Sequence, residues 1–149
     1  MTEATKQKPY DLEERTFQFA KNVRLFIKTV PKTMSAIEDG KQVVRSSGSV
    51  GANYIEANES LSKKDFNMRI KICRKEAKES AYWLRLLAEI NDEKYKEECR
   101  VLFGEAVELK KIFSAILQKW NHKSQNPNNF QLFGTSGLKK GKINLEVQL

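Results

Sequence analysis

RSSGSVGANYIEA, residues 45–57, separates a phosphate-binding protein from a helical one. Serine and glycine crowd it. Either its backbone cradles a phosphate, or it is a helix that lies very close to something. The phosphate reading needs G-x-x-x-x-G-K-(S/T), and neither Gly48 nor Gly51 is followed by the required lysine. A dinucleotide fingerprint needs a preceding strand, and no alternating pattern precedes this segment. On a helix, Gly40, Val44, Ser47, Gly51 and Tyr54 share one face, with Val43, Val50 and Ala57 beside it. Each glycine costs a helix roughly 1 kcal/mol relative to alanine, which a sequence tolerates when a neighbouring backbone needs the space. The helix is therefore the reading adopted.

On either side, apolar residues recur at helical spacing along most of the chain, and its three prolines, Pro9, Pro31 and Pro127, fall between periodic segments. A first helix is predicted from about Leu12 to Val30, capped by Asp11, with Phe17, Ala20, Val23, Ile27 and Val30 as its buried stripe. Ser35 and Glu38 have the spacing of a capping box, so a second helix is expected from near Ala36 to Asn58. Ser62 and Asp65 repeat that arrangement before a third, from about Lys63 to Ile90. Its seam of Phe66, Ile70, Cys73, Ala77, Ser80, Leu84 and Leu87 steps by fours and threes, a heptad. A turn at Asn91–Asp92 leads to a fourth helix, roughly Glu93 to Trp120, lined by Tyr95, Cys99, Leu102, Ala106, Leu109, Phe113, Ile116 and Trp120.

Residues 1–10 read as a flexible N-terminus, 11–120 as one bundle, and 121–149 as a basic tail expected to be disordered alone. Phe130, Leu132 and Phe133 read as a candidate docking motif in that tail. Four amphipathic helices with short connections predict an all-α, antiparallel up-down-up-down bundle.

With 149 residues and a net charge of +8, the chain suits one domain with polyanionic partners, nucleic acid before an anionic membrane surface. Mild basicity without such a partner is the plainer alternative. No apolar run reaches the roughly 20 residues that span a bilayer, and the polar opening MTEATKQKPYDLEE carries no secretory signal. Two cysteines without an export signal suit the cytoplasm rather than a disulfide framework. Cys73 and Cys99 take core heptad positions on helices that fold back on each other, some 16 Å apart in level at about 1.5 Å per residue. They read as small buried hydrophobes.

RSSGSVGANYIEANESLSKKDFNMRIKICRKEAKESAYWLRLL, residues 45–87, resembles the family of four-helix proteins encoded by 23S ribosomal-RNA intervening sequences. That family has a helical S-x-S-(V/I)-x-A-N-x-x-E element, matched here by Ser47, Ser49, Val50, Ala52, Asn53 and Glu56. An S-x-x-(D/E)-F element follows (Ser62, Asp65, Phe66), then K-E-x-x-E-x-x-x-W-L (Lys75, Glu76, Glu79, Trp83, Leu84). The likeness covers about residues 11–120. Members commonly close the first element with Glu-Gly, whereas this chain has Glu56-Ala57, so the helix is expected to run further. The resemblance implies an antiparallel bundle assembling as a ring, typically a homopentamer, with a nucleic-acid-binding role. A similar bundle is the accessory protein of diversity-generating retroelements, where it binds nucleic acid and a reverse transcriptase.

The third helix can also be read by itself. Advancing 100° per residue from Phe66, Lys64, Lys71, Lys75, Lys78 and Arg85 fall together between roughly 100° and 180°. Met68, Ile72, Trp83, Leu86 and Ile90 fall between roughly 200° and 260°. A helix in a lone bundle needs one apolar stripe, so the second reads as a subunit interface with Trp83 as anchor, or as the edge of a broad core stripe. The basic stripe reads as phosphate contacts, or as an ordinary solvated face. Lys139, Lys140 and Lys142 extend the basic surface into the tail. Tyr82 is the one aromatic among the stripe's lysines, so backbone contact with weak sequence preference is expected rather than base stacking. Asn53, Glu56, Glu76 and Glu79 read either as a ligand site between helices or as inter-helix pairs with Arg45 or Arg74.

The enzyme readings fail on residue types. A di-iron bundle needs two E-x-x-H motifs, and the single histidine is His122 in the tail. It also leaves no base for a serine or cysteine nucleophile. The expectation is a non-enzymatic oligomer without cofactor or metal that binds nucleic acid, RNA in the first instance. The alternative is a protein-interaction scaffold or a reverse-transcriptase accessory protein.

Overall fold

The computed structural model describes residues 11–124: four helices and a short 3-10 turn around one core, with no strand among the described residues. The helices are α1 (Leu12–Thr29), α2 (Met34–Asn58), α3 (Lys63–Ile90) and α4 (Lys96–Ser124), the turn being Glu93–Tyr95. Residues 1–10 and 125–149, and the side chains of Trp120, His122, Lys123 and Ser124, lie outside the description, and with them the tail's lysines and candidate docking motif.

Local chemistry sets the helix ends. The Glu14 N–H donates to Asp11 Oδ1 (3.2 Å), and Glu13 and Glu14 stand at the positive end of the α1 dipole. Val30 is extended because Pro31 follows and disfavours helical backbone before it. The start of α2 corrects the sequence reading. The cap is Thr33, whose hydroxyl accepts from the Ala36 N–H (3.2 Å), so the helix begins at Met34 and the Ser35–Glu38 pair lies inside its first turns. Thr33 lies two residues past Pro31, its N–H closing the corner on the Pro31 carbonyl (3.0 Å), so it precedes Ser35 as the cap. For α3 the cap is Ser62, accepting from the Asp65 N–H (3.1 Å). The fourth element opens as the 3-10 turn rather than as helix, and α4 runs four residues past Trp120.

The third-helix seam is buried at all seven predicted positions. On α4, Ile112 and Leu117 join the predicted seam, and Ile116 packs partly buried against it. On α1 the predicted stripe is rotated from the buried one by about a sixth of a turn, with Val23 and Val30 common to both. Leu12, Thr16, Phe19, Val23, Phe26 and Val30 are buried, while Phe17 stands 60% exposed. Two apolar faces of α1 overlap at Val23 and Val30. The face carrying Phe19 and Phe26 buries more area, and each buried phenyl is worth about 1.5–3 kcal/mol.

The small residues of α2 do what a close-packed helix requires. Ile27 lies against Gly40, Arg24 against Gly48, Thr16 against Gly51, and Asn58 hydrogen bonds Glu13, contacts that run in reverse sequence order. No described residue has a positive φ, so these glycines answer a need for space and not for unusual dihedrals. A Cβ on Gly51 would stand 3.0 Å from Thr16 Oγ1. That hydroxyl is fixed by the carbonyls of Leu12 (2.8 Å) and Glu13 (3.0 Å). On its other side α2 meets α3 through a buried Ser46–Ser80 hydroxyl pair at 2.8 Å, and Cys73 Sγ donates to the Val50 carbonyl (3.4 Å). The strongest seams are α2 with α3 and α3 with α4; α1 rests mainly on α2 and only lightly on α4.

Candidate nucleic-acid interface

Helix α3 carries every described cation of the candidate interface on its outer sides. Lys64, Lys71, Lys75, Lys78 and Arg85 are all exposed. They span 21 residues, roughly 32 Å at 1.5 Å per residue. Lys75 Nζ stands 3.6 Å from Glu76 Oε1. The other four make no ion pair among the described residues, unlike Arg15, Lys41, Arg45, Lys96, Arg100 and Lys111, each of which has an acidic partner. An unpaired surface cation keeps its full field for a mobile phosphate.

The second apolar face is present and incompletely covered. Met68 and Ile90 are 52% and 45% exposed, while Ile72, Trp83 and Leu86 are half-buried. Trp83 packs one side against the core, lies edge-on to Tyr82 (centroids 5.0 Å apart), and donates its Nε1–H to Glu79 Oε1 (3.4 Å).

Beside it runs a polar seam across α2 and α3. Arg45 donates to Glu79 Oε2 (2.8 Å) and stands 3.5 Å from Glu76 Oε2, an ion-pair contact without hydrogen-bond geometry. Glu76 is buried at 4% exposure. Burial pushes its carboxyl above the ordinary range, and Glu79 adds to this against the pull of Arg45 and Lys75. Burial also acts to raise Glu79, but the hydrogen bonds from Arg45 and Trp83 and the contact with Glu76 outweigh it, so its pKa is lowered. Of the two cations named from the sequence, Arg45 is therefore the partner of the α3 acids; Arg74 makes no ion pair among the described residues.

The motif residues of α2 do not converge on one pocket. Ser47 is buried and donates to the Val44 carbonyl (3.3 Å). Asn53 donates to Ser49 and accepts from Arg69 (3.2 Å), and Glu56 is exposed. The sequence reading missed Arg69 as a cross-helix donor, and missed the bidentate Arg15–Glu105 pair (2.7 and 3.1 Å) that links α1 to α4. Both depend on inter-helix register, which periodicity does not carry.

Burial pushes the thiol pKa of Cys73 to about 12 and of Cys99 to about 11. Both thiols are free and buried, as their heptad positions predict. Among the described residues no three histidine, cysteine or acidic side chains gather as metal ligands, and no helix is long and apolar enough to cross a membrane.

These features define an all-helical protein of four helices around one core, with a cationic stripe and a partly open apolar face on the same helix. The family model for the 23S rRNA-intervening sequence protein matches residues 9–115, and the chain belongs to that family. Among solved structures it is similar to the 1.70 Å crystal structure of a protein of unknown function from the S23 ribosomal protein family of Bacteroides thetaiotaomicron. The two are 28% identical, the match covers 72% of this chain and 98% of that one, and the TM-score is 0.60. Comparison with curated proteins gave no match.

Proposed function

We propose that the chain is a non-enzymatic, antiparallel up-down-up-down bundle that self-associates as a ring, most simply a homopentamer, and binds nucleic acid through repeated basic surfaces. The observation that carries this reading is the stripe of Lys64, Lys71, Lys78 and Arg85, exposed and without acidic partners along roughly 32 Å of one rigid helix. Phosphate contacts of this kind are individually weak and little sensitive to sequence. A ring repeats them, which raises the effective concentration of each site once the first is engaged. The α3 face of Met68, Ile72, Trp83, Leu86 and Ile90 supports self-association, because Trp is a frequent interface anchor and this one is only half covered. The reverse-order contacts of α1 with α2 support the antiparallel arrangement. Membership in a family named for 23S rRNA intervening sequences supports RNA as the polyanion.

Salt titration of RNA binding tests the reading. Log affinity is expected to fall linearly with log salt, by about 0.7 per phosphate neutralised on a single strand and about 0.9 on duplex DNA. Charge reversal at Lys71, Lys75 and Lys78 together is expected to abolish binding. A flat salt dependence, or unchanged affinity in that variant, sinks the reading and favours the scaffold alternative.

A further inference from the structure

A groove of about 830 Å³ lies between α1 and α4, where the two helices pack only lightly. Its open apolar surface is Val101, 61% exposed, over the buried Phe19 and Leu102. The charged residues along it are Asp11, Glu14, Glu105 and Glu108 against Arg15, an acidic channel on a chain of net charge +8. One Glu108 carboxylate oxygen, Oε2, is buried there without a hydrogen-bond partner. Gly104 sits on the same helix, three residues from Val101 and four from Glu108. A Cβ at Gly104 would meet nothing within 4 Å.

We infer that this groove is the docking site of the chain's own C-terminal segment, residues 125–149. Three observations select that occupant, and none depends on the nucleic-acid reading. The first is charge: the segment carries Lys139, Lys140 and Lys142 against Glu146. The second is side-chain type, since Phe130, Leu132 and Phe133 match the lining of Phe19, Val101 and Leu102. The third is reach. From Ser124 back to Leu102 is 22 helical residues, about 33 Å, a distance that roughly ten extended residues cover. Phe133, nine residues on, then comes level with Leu102, and the lysines follow with slack to turn back to the carboxylates at Glu105 and Glu108.

Zero-length carbodiimide cross-linking of the full-length chain tests this, because it joins a lysine to a carboxylate only where the two touch. The expected products link Lys139, Lys140 or Lys142 to Glu14, Glu105 or Glu108, and they disappear at high salt. In the Glu14→Gln/Glu108→Gln chain, tryptic cleavage after those lysines is expected to speed up roughly three- to tenfold, the range set by two exposed ion pairs. The melting temperature reports whether that variant keeps its fold. Links from the lysines only to acids elsewhere on the bundle overturn the inference. So does equal cleavage of both chains, or groove carboxylates linked to a second copy through lysines outside the segment.

Discussion

Three glycines on the bundle's helices should respond to the same substitution in different ways, and the structure sets each sign. At Gly104 an added Cβ meets nothing within 4 Å, so Gly104→Ala gains only helix propensity, about 1 kcal/mol. For a domain of this size that raises Tm by about 4 °C. At Gly51 the same methyl stands 3.0 Å from Thr16 Oγ1 and 3.3 Å from Thr16 Cβ. Thr16 is fully buried and its hydroxyl is held by two carbonyls, so it has no rotamer to retreat to without losing them. Overpacking of a fixed core contact costs about 1–3 kcal/mol, which outweighs the helix gain and leaves Gly51→Ala destabilised by about 1 kcal/mol. At Gly48 the nearest atom, Arg24 Nη2 at 2.9 Å, ends a flexible and exposed side chain. Moving it gives up the hydrogen bond to the Val44 carbonyl, worth about 1 kcal/mol, so Gly48→Ala is close to neutral. Thermal and urea unfolding followed by circular dichroism, at constant urea dependence, read all three. Thr16→Ala should rescue Gly51→Ala beyond additivity, since it removes the oxygen that the new methyl meets. A Gly51→Ala chain stabilised as much as Gly104→Ala would refute the claim that close approach of α1 explains the small residues of α2.

Other outcomes follow from the same geometry. Glu79→Gln should cost about 1 kcal/mol at pH 7. The lowered pKa of Glu79 makes that contribution full above its ordinary value of 4.5 and lost as pH falls through the lowered one, so wild type and variant should converge in acid unfolding curves. Trp83→Ala should shift the light-scattering mass towards monomer, and a wild-type chain already monomeric at micromolar concentration would end the ring proposal. Cys73 and Cys99, their pKa values pushed to about 12 and about 11, should resist Ellman's reagent at neutral pH until the chain unfolds. Fast labelling of the native chain would contradict their burial.

Where the sequence pattern was strong, it was sufficient. The third helix has one heptad seam flanked by a basic stripe and a second, smaller apolar stripe, so its core residues, its cap at Ser62 and its outer stripes were all readable. The first helix was misread because its two apolar faces share Val23 and Val30, and nothing local says whether Phe17 or Phe19 turns inward. The second helix was begun two residues late because Thr33 and Ser35 are both competent caps, and only the corner after Pro31 decides between them.

What the residues alone determined is the helical state of 45–57, the helix count, the buried cysteines and the cationic stripe. Each is a matter of period, cap or side-chain type within one segment. What the tertiary structure decided is everything that depends on register between segments. It set Thr16 against Gly51, gave Arg45 to Glu76 and Glu79, joined Arg15 to Glu105, and opened an acidic groove in a basic chain. Periodicity fixes which side of a helix turns inward, but not which residue of its neighbour stands at the same height. That height is set by the packing of all four helices together.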